Sequence, residues 1–237
     1  MKTTAIVLAG GSGSRMKTKT KKQYLLVEGK PVLWYSLHAF EESPLIDAVI
    51  LVCGAGEEAA CREQFVEKFG FRKVEAIVAG GKERYHSVHA GLLAAHGCDL
   101  VLIHDGARPF VDGMMLQRVM DCLATHPACV VGMPVKDTIK MSTEDGCVAQ
   151  TLPREKLWTI QTPQAFSYPL IKDAYDKMIR MEEDGCLDVK ITDDAMVAEK
   201  YMNTKVKMTL SEYTNIKATT PEDILVTEVF LTGKKML

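Results

Sequence analysis

Cations set around glycine-rich turns are the residues of this chain best suited to chemistry, and the chemistry they suit is work on phosphate. Leu8-Ala9-Gly10-Gly11-Ser12-Gly13-Ser14-Arg15-Met16 directly follows a short apolar run. Its glycines let the backbone come close to a nucleotide and aim N–H groups at phosphate. The bland alternative is an ordinary strand-to-helix turn. Lys17, Lys19, Lys21 and Lys22 come next, then Gln23-Tyr24. A charge run is usually a solvated face, which assigns most of these lysines to solvent. Lys22 stands apart because it closes a loop whose start carries Arg15. A fork-shaped guanidinium and a point charge on one triphosphate suit attack at phosphorus, where charge grows on the equatorial oxygens and the leaving group.

Two further segments carry polar chemistry. Gly80-Gly81-Lys82-Glu83-Arg84 precedes a helical pattern that holds Ser87 in its first turns, and helix N-termini attract anions and polar ligand edges. A glycine pair before a helix is also a common turn. His104-Asp105-Gly106-Ala107-Arg108-Pro109 ends another apolar run. Asp105 can orient a hydroxyl or help hold magnesium, and Arg108 can grip a phosphate; the alternative is an Asp–Arg pair that only shapes its loop. His104 reads as a packed strand-end histidine, with no second histidine at metal spacing. Two common nucleotide signatures fail on residues: a dinucleotide fingerprint begun at Gly11-Ser12-Gly13 would place its third glycine at Met16, and no Gly-Lys-Ser/Thr ends a P-loop.

The elements that must position these residues alternate. Short β-branched runs predict strands at 5–9, 48–52, 74–78, 100–104 and 129–134, and helical spacing predicts helices at 31–42, 57–69, 83–96 and 112–125. That is the pattern of a mostly parallel sheet covered on both faces, whose ligands lie at the carboxyl ends of the strands. Segments 135–141 and 148–152 flank Ser142-Thr143-Glu144-Asp145-Gly146, which is turn chemistry, so a β-hairpin arm is expected at about 135–152. Helices at 169–181 and 193–201, a strand at 205–209 and a last helix from Pro221 complete the reading. Neither repeat nor linker interrupts the 237 residues, so one domain over 1–237 is expected, with the arm an excursion from it.

Composition narrows the function classes. With a net charge of -2 the chain has no global positive field for nucleic acid or an acidic membrane surface, so anionic ligands must be met by local clusters. No apolar stretch approaches the roughly 20 residues of a membrane-spanning helix, and the N-terminal run is too short for a signal peptide. Cys53, Cys61, Cys98, Cys122, Cys129, Cys147 and Cys186 form no CxxC pair, which predicts a reduced, cytoplasmic chain.

In order along the chain, 8–16, Lys22-Gln23-Tyr24, Gly80-Gly81 with Arg84 and Ser87, and 104–109 resemble the 2-C-methyl-D-erythritol 4-phosphate cytidylyltransferases of the non-mevalonate isoprenoid pathway. So do Pro134-Val135-Lys136-Asp137-Thr138-Ile139-Lys140, Gln161-Thr162-Pro163-Gln164-Ala165-Phe166, Thr192-Asp193-Asp194, and Asn215-Ile216-Lys217 before Thr220-Pro221-Glu222-Asp223. The resemblance implies an α/β, Rossmann-like nucleotidyltransferase domain with a mostly parallel central sheet and a protruding β-arm. It implies that Arg15 and Lys22 stabilise the transition state at the α-phosphate of CTP, and that Lys217 binds that phosphate and positions the acceptor. Ala9, Gly10, Gly11 and Gly13 would line the CTP pocket, with cytosine read near Gly81 and Ser87. Asp105 would serve both substrates. Arg108, Thr138, Arg154, Thr162 and Thr192 would surround the acceptor, Arg154 with a catalytic part. Arg108, Thr138 and Arg154 would reach it from the partner subunit of a homodimer clasped through the arms.

Ala9-Gly10-Gly11 with Ser14-Arg15 also resembles the ribitol 5-phosphate cytidylyltransferases, whereas Lys136 to Lys140, Leu157-Trp158 after Arg154, and Thr192-Asp193-Asp194 favour methylerythritol phosphate. Magnesium is the expected cofactor, held mainly by the CTP phosphates with no certain protein ligand. A reading from another class is a nucleotide-binding regulatory module with a dead site; three cations meant for one phosphate argue against it.

Overall fold

The computed structural model describes residues 1–11 and 21–233. Its frame is a seven-stranded sheet. The continuous apolar runs of β1 (Thr3–Leu8), β4 (Ala48–Cys53), β5 (Val74–Ala79) and β6 (Leu100–Asp105) form parallel strands, and β1, β4 and β6 are buried almost throughout, as strands covered on both faces must be. Between β1 and β4, β2 (Leu26–Val27) and β3 (Lys30–Pro31) make a small ribbon before α1 (Val32–Glu42). Side chains alternate across the sheet. Ala5 and Val7 face a core built with Leu33, Leu37 and Phe40 of α1 and Met115, Leu116 and Val119 of α4 (Gly113–Leu123). Ile6 faces the opposite core, built with Val88 and Leu92 of α3 (Arg84–Ala94) and Ile171, Tyr175 and Met178 of α5 (Tyr168–Glu183).

The helix expected over 57–69 is divided: α2 (Glu58–Cys61) runs into a wider, π-helical stretch at Arg62–Glu67. β7 (Ala128–Pro134) matches its expected position, and the arm is an antiparallel hairpin of β8 (Lys140–Ser142) and β9 (Val148–Thr151). Its strands are shorter than 135–141 and 148–152, and every strand residue is exposed.

Pattern reading did not find β10 (Trp158–Ser167), which inserts antiparallel between β6 and β7. Its register shifts between Ile160 and Gln164, around Pro163, and its centre carries buried Gln161, Thr162 and Gln164. A polar, proline-bearing segment does not announce a central strand. After α6 (Asp194–Tyr201), β11 (Lys207–Leu210) pairs with β7 at the sheet edge, and α7 (Pro221–Gly233) closes the described chain. The order is β11-β7-β10-β6-β1-β4-β5. The carboxyl ends of β1 and β6 therefore lie side by side, with the end of β4 on the other flank of β1.

Candidate active site

The ends of these strands are drawn together by backbone bonds that admit little bulk. Ala9 N–H donates to the Val52 carbonyl at 2.6 Å, Gly80 N–H to Cys53 at 2.7 Å, and Gly106 N–H to Leu8 at 2.9 Å. A Cβ on Gly80 would sit 2.7 Å from Ser87 Oγ and 3.1 Å from the Cys53 carbonyl, and one on Gly10 would meet that same carbonyl at 3.0 Å. These glycines are required by close approach. Gln23, buried in a 3₁₀ turn at Lys22–Tyr24, braces the first loop by donating to the carbonyls of Ala9 and Gly11.

Above them opens a cavity of about 400 Å³ lined by Gly10, Gly11, Lys22, Gly81, Ser87, Asp105 and Lys217, among others. A smaller cavity of about 160 Å³ is lined by Arg108, Thr162 and Thr192, and it shares Arg84, Asp105 and Lys217 with the first. The junction is where a bond between two ligands would form.

Charge concentrates at that junction. Lys217 Nζ lies 2.6 Å from Asp105 Oδ2, Arg84 Nε 3.3 Å from Oδ1, and Arg108 Nε 3.9 Å from Oδ2. Burial opposes ionisation of Asp105, but Arg84, Lys217 and Arg108 outweigh it and hold the carboxyl far below its usual range. Arg84 in turn makes a two-pronged pair with Asp194, whose burial is complete, at 2.8 Å on each oxygen. Its own burial disfavours the charge, yet Asp194 and Asp105 raise its pKa well above the ordinary value. Arg108 is pulled the other way, since burial is the larger influence there and lowers its pKa.

Buried amides and hydroxyls set these charges in place. Asn215 Nδ2 donates to Gln161 Oε1 at 2.9 Å and to the Thr162 carbonyl at 3.0 Å, while Ala218 N–H donates to the Ala107 carbonyl at 2.8 Å. Lys217 is carried between these two anchors. Gln164 accepts from Ala195 N–H and donates to Asp193, tying the start of α6 to β10. The hydroxyl of Thr162 has a defined direction. His104 Nε2 lies 3.1 Å from the Arg108 carbonyl, which can only accept, so Nε2 carries the proton. Nδ1 then accepts from Thr162 Oγ1 at 3.1 Å, and Oγ1 accepts from Asp105 N–H at 3.0 Å. Burial lowers the His104 pKa to about 4, so the ring is neutral. Thr162 keeps one lone pair for a ligand and can offer it no proton.

Of the residues singled out in the sequence, Gly10, Gly11, Lys22, Gly81, Ser87, Asp105 and Lys217 line the larger cavity, and Asp105, Arg108, Thr162 and Thr192 the smaller. Ala9 is buried behind the wall. Gly13 and Arg15 lie outside the described residues. Thr138 and Arg154 are exposed beside the arm, Arg154 Nη1 donating to the Lys136 carbonyl at 2.7 Å, and neither lines either of these two cavities. For Arg108, expected from a partner subunit, the structure gives a correction: its Nη1 donates to the Asn215 carbonyl at 2.8 Å, in the same chain, which fixes it beside its own Asp105. Sequence reasoning gave no role to Gln23, Arg84, Gln161, Gln164, Asp194 or Asn215, although all six stand inside quoted motifs. Among the described residues no group of three or more His, Cys, Asp or Glu side chains is arranged to hold a metal, and no helix is long and apolar enough to cross a membrane.

Comparison with known proteins points one way. The protein of Lachnoclostridium phytofermentans described as 2-C-methyl-D-erythritol 4-phosphate cytidylyltransferase is 46% identical over 230 residues, 97% of this chain and 96% of its own. That of Lachnospira eligens is also 46% identical, covering 97% and 99%. The crystal structure of 4-diphosphocytidyl-2C-methyl-D-erythritol synthase from Anaerococcus prevotii superposes with a TM-score of 0.83 at 33% identity, over 98% of this chain and 96% of that one. The sequence model of the family described as IspD, 2-C-methyl-D-erythritol 4-phosphate cytidylyltransferase, matches residues 3–233, and the chain belongs to that family.

Proposed function

We propose that the chain transfers CMP from CTP to 2-C-methyl-D-erythritol 4-phosphate, releasing pyrophosphate and giving 4-diphosphocytidyl-2-C-methyl-D-erythritol for isoprenoid precursor synthesis. The observation that carries this reading is Lys217, held on Asp105 where the nucleotide-sized cavity meets the smaller one. CTP occupies the larger cavity, its base against Gly81 and Ser87 and its phosphates along Gly10, Gly11 and Gly13. The acceptor occupies the smaller, with Thr162 accepting from one of its hydroxyls and Thr192 and Arg108 beside it.

An acceptor phosphate oxygen attacks the α-phosphorus, and the bond to the bridging oxygen of pyrophosphate breaks in line. That oxygen nucleophile is already ionised near neutral pH, so the site needs positioning and positive charge and no general base. Lys217 aligns the two phosphates, while Lys22 and Arg15 meet the charge that grows on the equatorial oxygens and the departing pyrophosphate. Asp105 faces three cations, and among the described residues it belongs to no group of three or more His, Cys, Asp or Glu side chains that could hold a metal. The donor set thus fits magnesium carried by the triphosphate, where it would neutralise phosphate charge.

The active form is a homodimer of one catalytic domain per chain. Each arm hands Thr138 and Arg154 to the acceptor site of its partner, a role supported by their exposure and by their absence from the lining of the two cavities described above. We place the activity in the cytoplasm, where thiols stay reduced; the described cysteines are free.

Pyrophosphate release with CTP and each of two acceptors tests the proposal. Methylerythritol phosphate should be turned over far faster than ribitol 5-phosphate. A preference for ribitol 5-phosphate overturns the acceptor, and no release with either overturns the reaction.

A further inference from the structure

The two-pronged charge pairing at the site involves a carboxylate that the mechanism above does not use. Asp194 opens α6 and is completely buried. Its two oxygens accept from Nη1 and Nη2 of Arg84, each at 2.8 Å, and one of them also accepts from the Tyr175 hydroxyl. The Arg84 Nε–H reaches Asp105 on the other side. Three of the five N–H donors of the guanidinium are therefore committed to two carboxylates from different elements.

Arg84 lines both cavities, so it stands where either substrate's phosphates would meet it. An unoccupied arginine fork is among the best phosphate receptors a protein offers. For Arg84 to serve as one, it would have to abandon Asp194 and leave a carboxylate of zero exposure without its counter-charge, which is strongly unfavourable. We infer that Asp194 is a positioning residue for the proposed transfer: an internal anion that occupies the Arg84 fork, holds Arg84 against Asp105, and keeps it from seizing a phosphate that Lys217 must place. Asp105 and Asp194 face Arg84, Arg108 and Lys217, which leaves one net positive charge in this cluster beside the two cavities. Without the charge on Asp194 there would be two, and one would sit on a fork free to close on phosphate. Such binding would strengthen the ground state without serving the transition state, so affinity would rise while turnover fell.

The kinetic part of this inference rests on the proposed reaction; the anion-binding part does not. Asp194→Asn keeps the size of the side chain and an oxygen for Tyr175 but removes the charge. In the full-length protein, inorganic phosphate followed by calorimetry should bind about tenfold or more tightly to the variant than to the parent, the scale of one charge-assisted, two-pronged bond. Phosphate should inhibit against the acceptor correspondingly better, and kcat should fall with no rise in acceptor KM. A purely structural role would loosen phosphate and raise KM. Adding Arg84→Gln to Asp194→Asn should return phosphate affinity to the parent's. Phosphate bound equally or more weakly by folded Asp194→Asn overturns the inference. If that variant does not fold, the parent decides: nitrogen resonances of the Arg84 Nη groups should stay in place through a phosphate titration, and movement that saturates with phosphate overturns it. Tightening in a protein whose parent releases no pyrophosphate sinks the reaction and spares the inference; turnover in the parent without tightening does the reverse.

Discussion

Lowering the pH from about 7 to about 5 should destabilise this protein through one side chain, His104. Burial pushes its pKa down to about 4, against about 6.5 in an unfolded chain. Because the folded value is the lower one, the unfolded chain takes up the proton first. The stability tied to neutral His104 is whole above about pH 6.5 and is lost as the pH falls toward 4. At pH 5 the unfolded histidine is almost fully protonated and the folded one is not, so linkage sets the loss relative to pH 7 at about 2 kcal/mol. The incoming proton would land on Nδ1, the atom that accepts from Thr162, so the direction of that hydroxyl is lost as well. Asp105 acts in the same sense, but only as the pH drops through the unfolded carboxylate range near 4, because its folded value lies far lower. His104→Gln retains a donor for the Arg108 carbonyl and cannot titrate. Urea midpoints for parent and variant at both pH values make the test, since the other histidines cancel in the difference. The parent should lose about 2 kcal/mol more than the variant. Equal pH dependence in the two would refute a buried, neutral His104.

Lys22→Ala should lower turnover by roughly 10²-fold or more with the fold retained by circular dichroism, as for a lost charge-stabilising donor; turnover within about threefold of the parent removes Lys22 from that role. Removing the whole arm, about 135–152, should give an inactive monomer by light scattering and pyrophosphate release, because an isolated hairpin is marginal in water and one this exposed needs a partner surface; an arm-less, fully active dimer refutes the clasp. Arg154→Lys should raise acceptor KM and lower kcat while leaving CTP binding little changed, since a point charge cannot replace a fork on phosphate; weakened CTP binding alone would reassign the residue.

Local pattern carried most of the frame. The apolar runs that became β1, β4, β6 and β7 are read from sequence because a strand buried on both faces is largely apolar, edge strand β5 is read from its β-branched residues, and the helices between them announce themselves by their spacing. The glycine turns at Gly10 and Gly80 were legible for a similar reason: their constraint is local, a backbone that must pass close to the Cys53 carbonyl. Motif order identified the family and singled out Lys22, Asp105 and Lys217, which the structure brings to one cavity. Other features have no local signature. β10 is central yet polar, and Gln161, Thr162 and Gln164 are tolerable there only because Ser211, Asn215, His104 and Asp193 reach them from distant segments. Asp194 stands in a quoted motif without a role of its own, and its burial is matched by Arg84 across a separation of 110 residues. Arg108, expected to reach the acceptor from a partner subunit, is held beside its own Asp105 by the carbonyl of Asn215, a distant residue of its own chain. Sequence determines which residues are able to carry charge and which segments must be covered. Which charges meet is decided by tertiary structure, because a buried polar group is stable only beside its partner, and here that partner lies far away along the chain.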